Sequence, residues 1–436
     1  MLQFDFHNCM AEEIGEVHGL TEAELEAALP LVKKAHQQIQ SWRKSGDAAF
    51  FELALQPQNI TELTAAAEKV RKNFDDVVVL GIGGSSLGLG ALSQALLPLH
   101  FNVLSREERG APRLWICSNL DPDTFVPLMS SLNPHKTQFV VISKSGRTTE
   151  TLAQFFVVVE KLKASVGQNW KQHFTLITDP NQGPLRLFAM QEGIQSFSIP
   201  PQLGGRYSLF SPVGLFPAAC AGILVEDLLS GCREAALQWQ SGDLEENPVY
   251  LLALLHFLLD QKKHKSTAVL FPYKDNLSTF ADWYIQLWAE SLGKGGKGST
   301  PHKALGAVDQ HSQLQLFMDG PNDKVFTFIG VDEFLSEPEE TQVSSCMAGF
   351  DELTGHSFGE ILQAEQLATT QALTKQQRPN MTITLPELSC FTLGQLCFAY
   401  ELATAFAGAL YGVNPFDQPG VELSKQLTKQ ILSGED

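Results

Sequence analysis

The sequence predicts an α/β protein built from two doubly wound parallel sheets, with helices on both faces of each sheet and helical segments at the two ends. Three observations carry this expectation. From Asp75 onward, short apolar segments alternate with helical patterns, the signature of a parallel sheet. A breaker-rich stretch, Pro200-Pro201-Gln202-Leu203-Gly204-Gly205-Arg206, ends that series, and a second one follows it. The run Gly81-Ile82-Gly83-Gly84-Ser85-Ser86-Leu87-Gly88-Leu89 stands between a strand pattern and a helix pattern, where open parallel sheets hold anions. The expected boundaries are a helical N-terminal segment over 1–50, a first domain over 51–215, a second over 216–410, and a last turn and helix over 411–436 that carries Lys425.

In chain order, Met1 to His7 lack the basic flank and apolar stretch of a secretion signal, so no export is expected. Thr21 to Lys72 is helical by pattern, and Thr21 with Glu24 makes a capping-box signature ahead of Leu25, Ala28 and Leu29. Strands of the first series are expected at Val77–Leu80, Leu114–Cys117, Phe139–Ile142, Phe174–Thr178 and Ser196–Ile199. Those of the second are expected at Thr267–Phe271, Val325–Val331 and Met381–Leu385, with a Gly/Lys-rich loop over Gly293–Ser299. The turn Asn414-Pro415-Phe416-Asp417-Gln418-Pro419 precedes a terminal helix over Gly420–Leu432. No apolar run is read as reaching the roughly 18 residues that span a bilayer; the longest candidates, such as Val249–Leu259, read as core helix.

Composition narrows the class. The 436 residues carry 31 basic and 49 acidic side chains, a net charge of −18, so the average field repels nucleic acid and anionic membranes. An anionic ligand therefore needs local positive groups. The cysteines Cys9, Cys117, Cys220, Cys232, Cys346, Cys390 and Cys397 are odd in number and lack CxxC or His/Cys ligand spacing, which predicts reduced thiols, a cytoplasmic protein and no metal.

A second hydroxyl-rich turn, Ser143-Lys144-Ser145-Gly146-Arg147-Thr148-Thr149-Glu150-Thr151, follows the strand at Phe139–Ile142. Ser and Thr at a helix start usually satisfy only the helix's own free N–H groups. Here Leu152, Phe155, Phe156 and Val159 continue at helical spacing, which aims the turn's donors at one place. The absence of a Gly-Lys-Ser/Thr sequence argues against a nucleoside triphosphate, and the glycine spacing is wrong for a dinucleotide. A monophosphate gripped by both turns fits better.

Four further residues are candidates for chemistry, each with a plainer role beside it. Arg206 follows two glycines and could be an ordinary exposed arginine. Glu290 lies near the end of a helix on the flank of the stripe Phe280, Trp283, Tyr284, Leu287 and Trp288, half-buried and suited to general-base work, or else solvated. His311 follows Asp309, which could cap a short helix and orient the ring; most lone histidines are surface or satisfied core groups. Lys425, on the terminal helix, reads as solvated from its context alone.

Together, the segments GIGGSSLG, SKSGRTTET, GGRYSLFSPVGL, WAES, DQHSQLQLF and NPFDQPGVELSK resemble the phosphoglucose isomerase family, which is built on paired sugar-isomerase (SIS) domains. The resemblance runs from about Asp75 to the C-terminus, and the length is similar to that of the compact bacterial form. It implies that Ser85, Ser143, Lys144, Ser145 and Thr148 surround a hexose 6-phosphate's phosphate with Gly84 in the neighbouring turn, and that Gln418 lies beside the sugar. It further implies that Arg206 stabilises an enediolate, Glu290 shuttles the proton, and His311 with Lys425 assists ring opening. The implied reaction converts D-glucose 6-phosphate and D-fructose 6-phosphate reversibly, without cofactor or metal. The family's histidine crosses a dimer interface, so a homodimer with shared active sites is expected.

Two other classes compete. A non-catalytic sugar-phosphate sensor would have no need of Glu290, Arg206, His311 and Lys425 in these contexts, and an NAD-dependent dehydrogenase would need an acidic ribose anchor that the sequence lacks. An isomerase that also accepts mannose 6-phosphate would carry the same residues.

Overall fold

A computed structural model describes residues 1–57, 60–336, 338, 349 and 351–434; Cys346 lies outside the described residues. Its ten strands are β1 Gln3–Asp5, β2 Asp76–Leu80, β3 Arg113–Cys117, β4 Thr137–Ile142, β5 Phe174–Thr178, β6 Ser196–Ser198, β7 Thr267–Pro272, β8 Thr300–Lys303, β9 Lys324–Val331 and β10 Asn380–Leu385. Two five-stranded sheets result, in the orders β3-β2-β4-β5-β6 and β1-β10-β9-β7-β8.

The first sheet is parallel throughout. Alternate residues of its strands enter different cores: Val77, Val79, Val140 and Ile142 face one cluster, Val78, Leu80 and Val141 the other. A sheet buried on both faces reads as a continuous apolar run, which is why these strands are visible in the sequence. The second sheet divides in the same way, with Ala268 and Leu270 on one face and Val269 and Phe271 on the other.

Two strands escape the sequence pattern. The N-terminal segment is not wholly helical: β1 pairs antiparallel with β10, Phe4 opposite Ile383, and closes one edge of the second sheet. At the other edge β8 pairs parallel with β7, and its residues Thr-Pro-His-Lys are half-exposed, so burial imposes no apolar signature on them.

The helices follow their end signals. Thr21 and Glu24 form the expected capping box on the helix Glu22–Ser45, which ends at Gly46 in the left-handed region. Expectation fails for membrane-spanning length. Cys390–Tyr411 is long and apolar enough by length and composition to cross a bilayer, although Glu401, Thr404 and several small residues interrupt its apolar run. Nearly all of it is buried inside the protein, between the helices Val225–Gln238, Pro248–Lys263 and Ser278–Leu292. Of the cysteines described, all are free thiols, and all but the half-buried Cys390 are buried.

The connection that matters for function is the helix Ser278–Leu292. It leaves β7 of the second sheet yet packs against the helix Leu87–Leu96 of the first. Thr279 Oγ1 donates to the Gly90 carbonyl at 2.9 Å, and Asn276 Nδ2 donates to the Gln94 carbonyl at 3.0 Å. The helix thereby carries Glu290 from one half of the molecule to the carboxyl edge of the other half's sheet.

Candidate active site

The loops that follow β2 and β4 emerge side by side, because these strands are neighbours with Leu80 opposite Val141. The order β3-β2-β4-β5-β6 places its reversal between them, and this is where open α/β sheets leave a crevice at the carboxyl ends of their strands. A cleft of about 610 Å³ opens there, lined among others by Gly84, Ser85, Lys144, Ser145, Arg147, Thr148, Gln418 and Lys425.

Within the second loop, Gly146 adopts φ +61°, a conformation that favours glycine, and a Cβ there would also come within 2.9 Å of Leu185. The turn it makes presents Ser145 and Thr148 to the cleft. Ser143 is buried behind them, its hydroxyl 2.8 Å from that of Thr148. Lys144 donates to the Leu203 carbonyl at 2.9 Å, and burial pushes its ammonium below the usual lysine range while Asp179 works in the opposite direction. An arriving dianion would favour its charged form. In the first loop, Ser86 is turned inward and donates to the Gly83 carbonyl, so it serves the turn, whereas Ser85 lines the cleft. Gly84 has a separate constraint: a Cβ on it would lie 2.2 Å from the carbonyl carbon of Gly205. The glycine-rich turn and the Arg206 turn touch backbone to backbone.

That contact sets Arg206, which is fully buried and not an exposed surface arginine. Its Nε donates to Ser291 Oγ at 2.7 Å, Nη1 to Gln418 Oε1 at 2.9 Å and to Glu290 Oε2 at 3.2 Å, and Nη2 to the carbonyls of Pro415 and Asp417. All five donors of the guanidinium are engaged. Glu290 keeps 34% of its side chain exposed, the half-burial its helical position implies, and Gln286 Nε2 donates to its other oxygen at 3.2 Å. The arrangement sets a carboxylate able to move a proton against a fixed cation able to stabilise negative charge on oxygen, beside a pocket rich in hydroxyl and ammonium donors.

Two candidates stand apart. Lys425 lines the cleft from the terminal helix Glu422–Ser433, where its ammonium meets the Glu422 carboxylate at 2.8 Å. His311 is exposed and is not among the cleft-lining residues of its own chain. Asp309 does not orient its ring; that carboxylate caps the Leu305 N–H at 2.7 Å and accepts from the Ser312 hydroxyl. Nothing in the sequence marks Gln286, Tyr207 or Ser291 for a role. Their signal is spatial, since each acts on a partner that the sequence does not show to be near.

Residues 58–436 match the family described as phosphoglucose isomerase. A glucose-6-phosphate isomerase of Carboxydothermus hydrogenoformans is 41% identical, the match covering 100% of this chain and 95% of that one. One from Rubrobacter xylanophilus is also 41% identical, over 98% of this chain and 96% of the other. Among solved structures, a hypothetical protein from Thermus thermophilus superposes with a TM-score of 0.88 at 36% identity, covering 99% of this chain and 100% of that one. A glucose-6-phosphate isomerase from Chlamydia trachomatis gives 0.74 at 25% identity, over 86% and 72%. With the family pattern matched from residue 58 to the end and the relatives aligned along nearly their whole length, the chain belongs to the phosphoglucose isomerase family.

Proposed function

We propose that this cleft interconverts D-glucose 6-phosphate and D-fructose 6-phosphate, with Glu290 as the base that carries the proton between carbons 2 and 1. Membership of the family makes the chain an aldose–ketose isomerase acting on a hexose phosphate. The observation that supports the assignment of roles is the contact of Glu290 Oε2 with Arg206 Nη1 at 3.2 Å beside the hydroxyl-rich cleft.

The phosphate is held by Ser85, Ser145 and Thr148, by the ammonium of Lys144, and by the N–H groups of the two turns, with Ser143 fixing the Thr148 hydroxyl. Ring opening moves a proton from the anomeric hydroxyl to the ring oxygen, work suited to an imidazole, which can both accept and donate a proton, and we assign it to His311 with Lys425. Glu290 then takes the proton from carbon 2 of the open aldose. The electrons left behind form a carbon–carbon double bond while the carbonyl oxygen becomes negative, and Arg206 stabilises that oxygen more than it stabilises the neutral sugar. The proton of the carbon-2 hydroxyl passes to the carbon-1 oxygen, and return of the carbon-bound proton from Glu290 to carbon 1 gives the ketose and regenerates the carboxylate. Gln418, already bonded to Arg206, lies beside the sugar.

Because His311 is exposed on its own chain, the reading includes a homodimer in which each cleft receives His311 from the partner. The reduced thiols fit a cytoplasmic enzyme. A coupled assay following fructose 6-phosphate formed from glucose 6-phosphate, with mannose 6-phosphate run in parallel, tests the assignment. Turnover of the glucose ester is the expected result, and its absence in folded protein overturns the reading.

A further inference from the structure

We propose that Ser291, backed by Tyr207, is a positioning residue that fixes the guanidinium plane of Arg206 for the negative charge of the enediolate. The inference rests on the role given to Arg206 above and goes beyond it.

A planar guanidinium is held in orientation only if it is anchored at more than one edge. The Nη2 edge of Arg206 is held by the carbonyls of Pro415 and Asp417. The Nη1 edge meets Glu290 and Gln418, the two groups that must exchange partners when a sugar enters and the base takes its proton. That edge cannot also serve as a fixed anchor. The remaining donor, Nε, has Ser291 Oγ at 2.7 Å, a partner completely out of solvent. Anchored at Nε and Nη2, the plane is defined while Nη1 stays available to the substrate.

The serine hydroxyl is itself fixed. Having accepted from Nε, Ser291 Oγ finds the Tyr207 hydroxyl at 3.3 Å, and Tyr207 is wedged between the rings of Phe50 and Phe416. Burial pushes the Tyr207 phenol well above its ordinary range, so it remains a neutral partner for the serine. Tyr207 also adjoins Arg206 in the chain, and Ser291 adjoins Glu290. One helix therefore carries both the base and the anchor of the cation, and one turn carries both the cation and the support of that anchor. Displacement of a reacting group by about 1 Å can cost on the order of 100-fold in rate, so an anchor of this kind is read most clearly in the chemical step.

The experiment compares wild type with Ser291→Ala, confirmed as folded by circular dichroism, in turnover of glucose 6-phosphate and in binding of two inhibitors. One is a hydroxamate of a five-carbon phosphosugar acid, which carries charge where the enediolate does; the other is a neutral hexitol 6-phosphate. The expected result is a kcat lowered roughly 10- to 100-fold with KM within about threefold, hydroxamate affinity lowered at least about 10-fold and hexitol phosphate affinity nearly unchanged. Equal weakening of both inhibitors, or loss of neither, overturns the proposal. If Ser291→Ala does not fold, Tyr207→Phe is read by the same inhibitor ratio, and an unchanged ratio overturns the proposal. A wild-type protein that fails to turn over glucose 6-phosphate marks failure of the functional reading instead, since that measurement comes first.

Discussion

Arg206 has no side-chain exposure to speak of, and three of its acceptors come from residues more than 200 positions later in the chain. Nothing in its neighbourhood of sequence shows this, because burial of an arginine depends on acceptors converging from elsewhere. The hydroxyl turns were legible for the opposite reason: their donors are consecutive, so spacing alone aims them. Glu290 lies between these cases, since its place on the flank of an aromatic stripe gave its half-burial while its contact with Arg206 is tertiary. Its role can be tested by a single atom change. Glu290→Gln keeps the size of the side chain and an oxygen for Arg206 to donate to, but it removes the basic carboxylate. Turnover should fall by at least about 10³-fold while hexose phosphate binding stays within a few-fold. Full activity in the variant, measured with the coupled assay, would refute the assignment.

At the scale of elements, two junctions are decisive. The first is the crossing of the Gly83–Ser85 turn and the Gly205–Tyr207 turn, where Gly84 leaves no room for a side chain. Gly84→Ala must separate two backbones rather than displace a flexible group. It should cost about 1–3 kcal/mol in urea unfolding and move the phosphate turn relative to Arg206, with lowered turnover. Unchanged stability and activity would show that the close approach is not required. The glycine-rich run predicts an anion nest from sequence alone; that one of its glycines serves a loop crossing is not predictable there, because the crossing partner is over 100 residues away.

The second junction is the helix Pro248–Lys263 against the second sheet. His256 is buried there, its Nε2 3.1 Å from Thr327 Oγ1 in β9, and burial holds its pKa at about 4. The neutral ring is the folded form. The unfolded chain, with its histidine near 6.5, binds the proton more readily between pH 6.5 and 4. Stability is therefore present above the unfolded value and is lost as pH falls through that window, by on the order of 3 kcal/mol for this group. His256→Gln, with an amide in reach of Thr327, should flatten the decline measured by urea unfolding at pH 7 and pH 4.5. An equally steep decline in the variant would place the acid sensitivity elsewhere.

For the whole molecule, the two-sheet plan was legible because strands buried on both faces must be apolar, and it became illegible at the sheet edges, where β1 and β8 need not be. The assembly is where the exposed residues matter. The terminal helix Glu422–Ser433 buries none of its side chains and leaves Leu423, Leu427 and Ile431 open along one face beside the cleft, while His311 faces solvent. If His311 completes the cleft of a second copy, two inactive variants should repair one another. In a mixed dimer of Glu290→Gln and His311→Ala, one cleft combines the intact glutamate of the second variant with the intact histidine of the first; the other cleft has neither. Random exchange makes half the dimers mixed, each with one working site of two, so an equal mixture should recover about a quarter of wild-type activity. If the histidine serves its own chain, every cleft in the mixture lacks one of the two groups and no activity returns. Recovery that rises with the time allowed for subunit exchange, followed by the coupled assay and with dimer mass checked by sedimentation, would establish the shared site. A fully active monomer at assay concentration would exclude it.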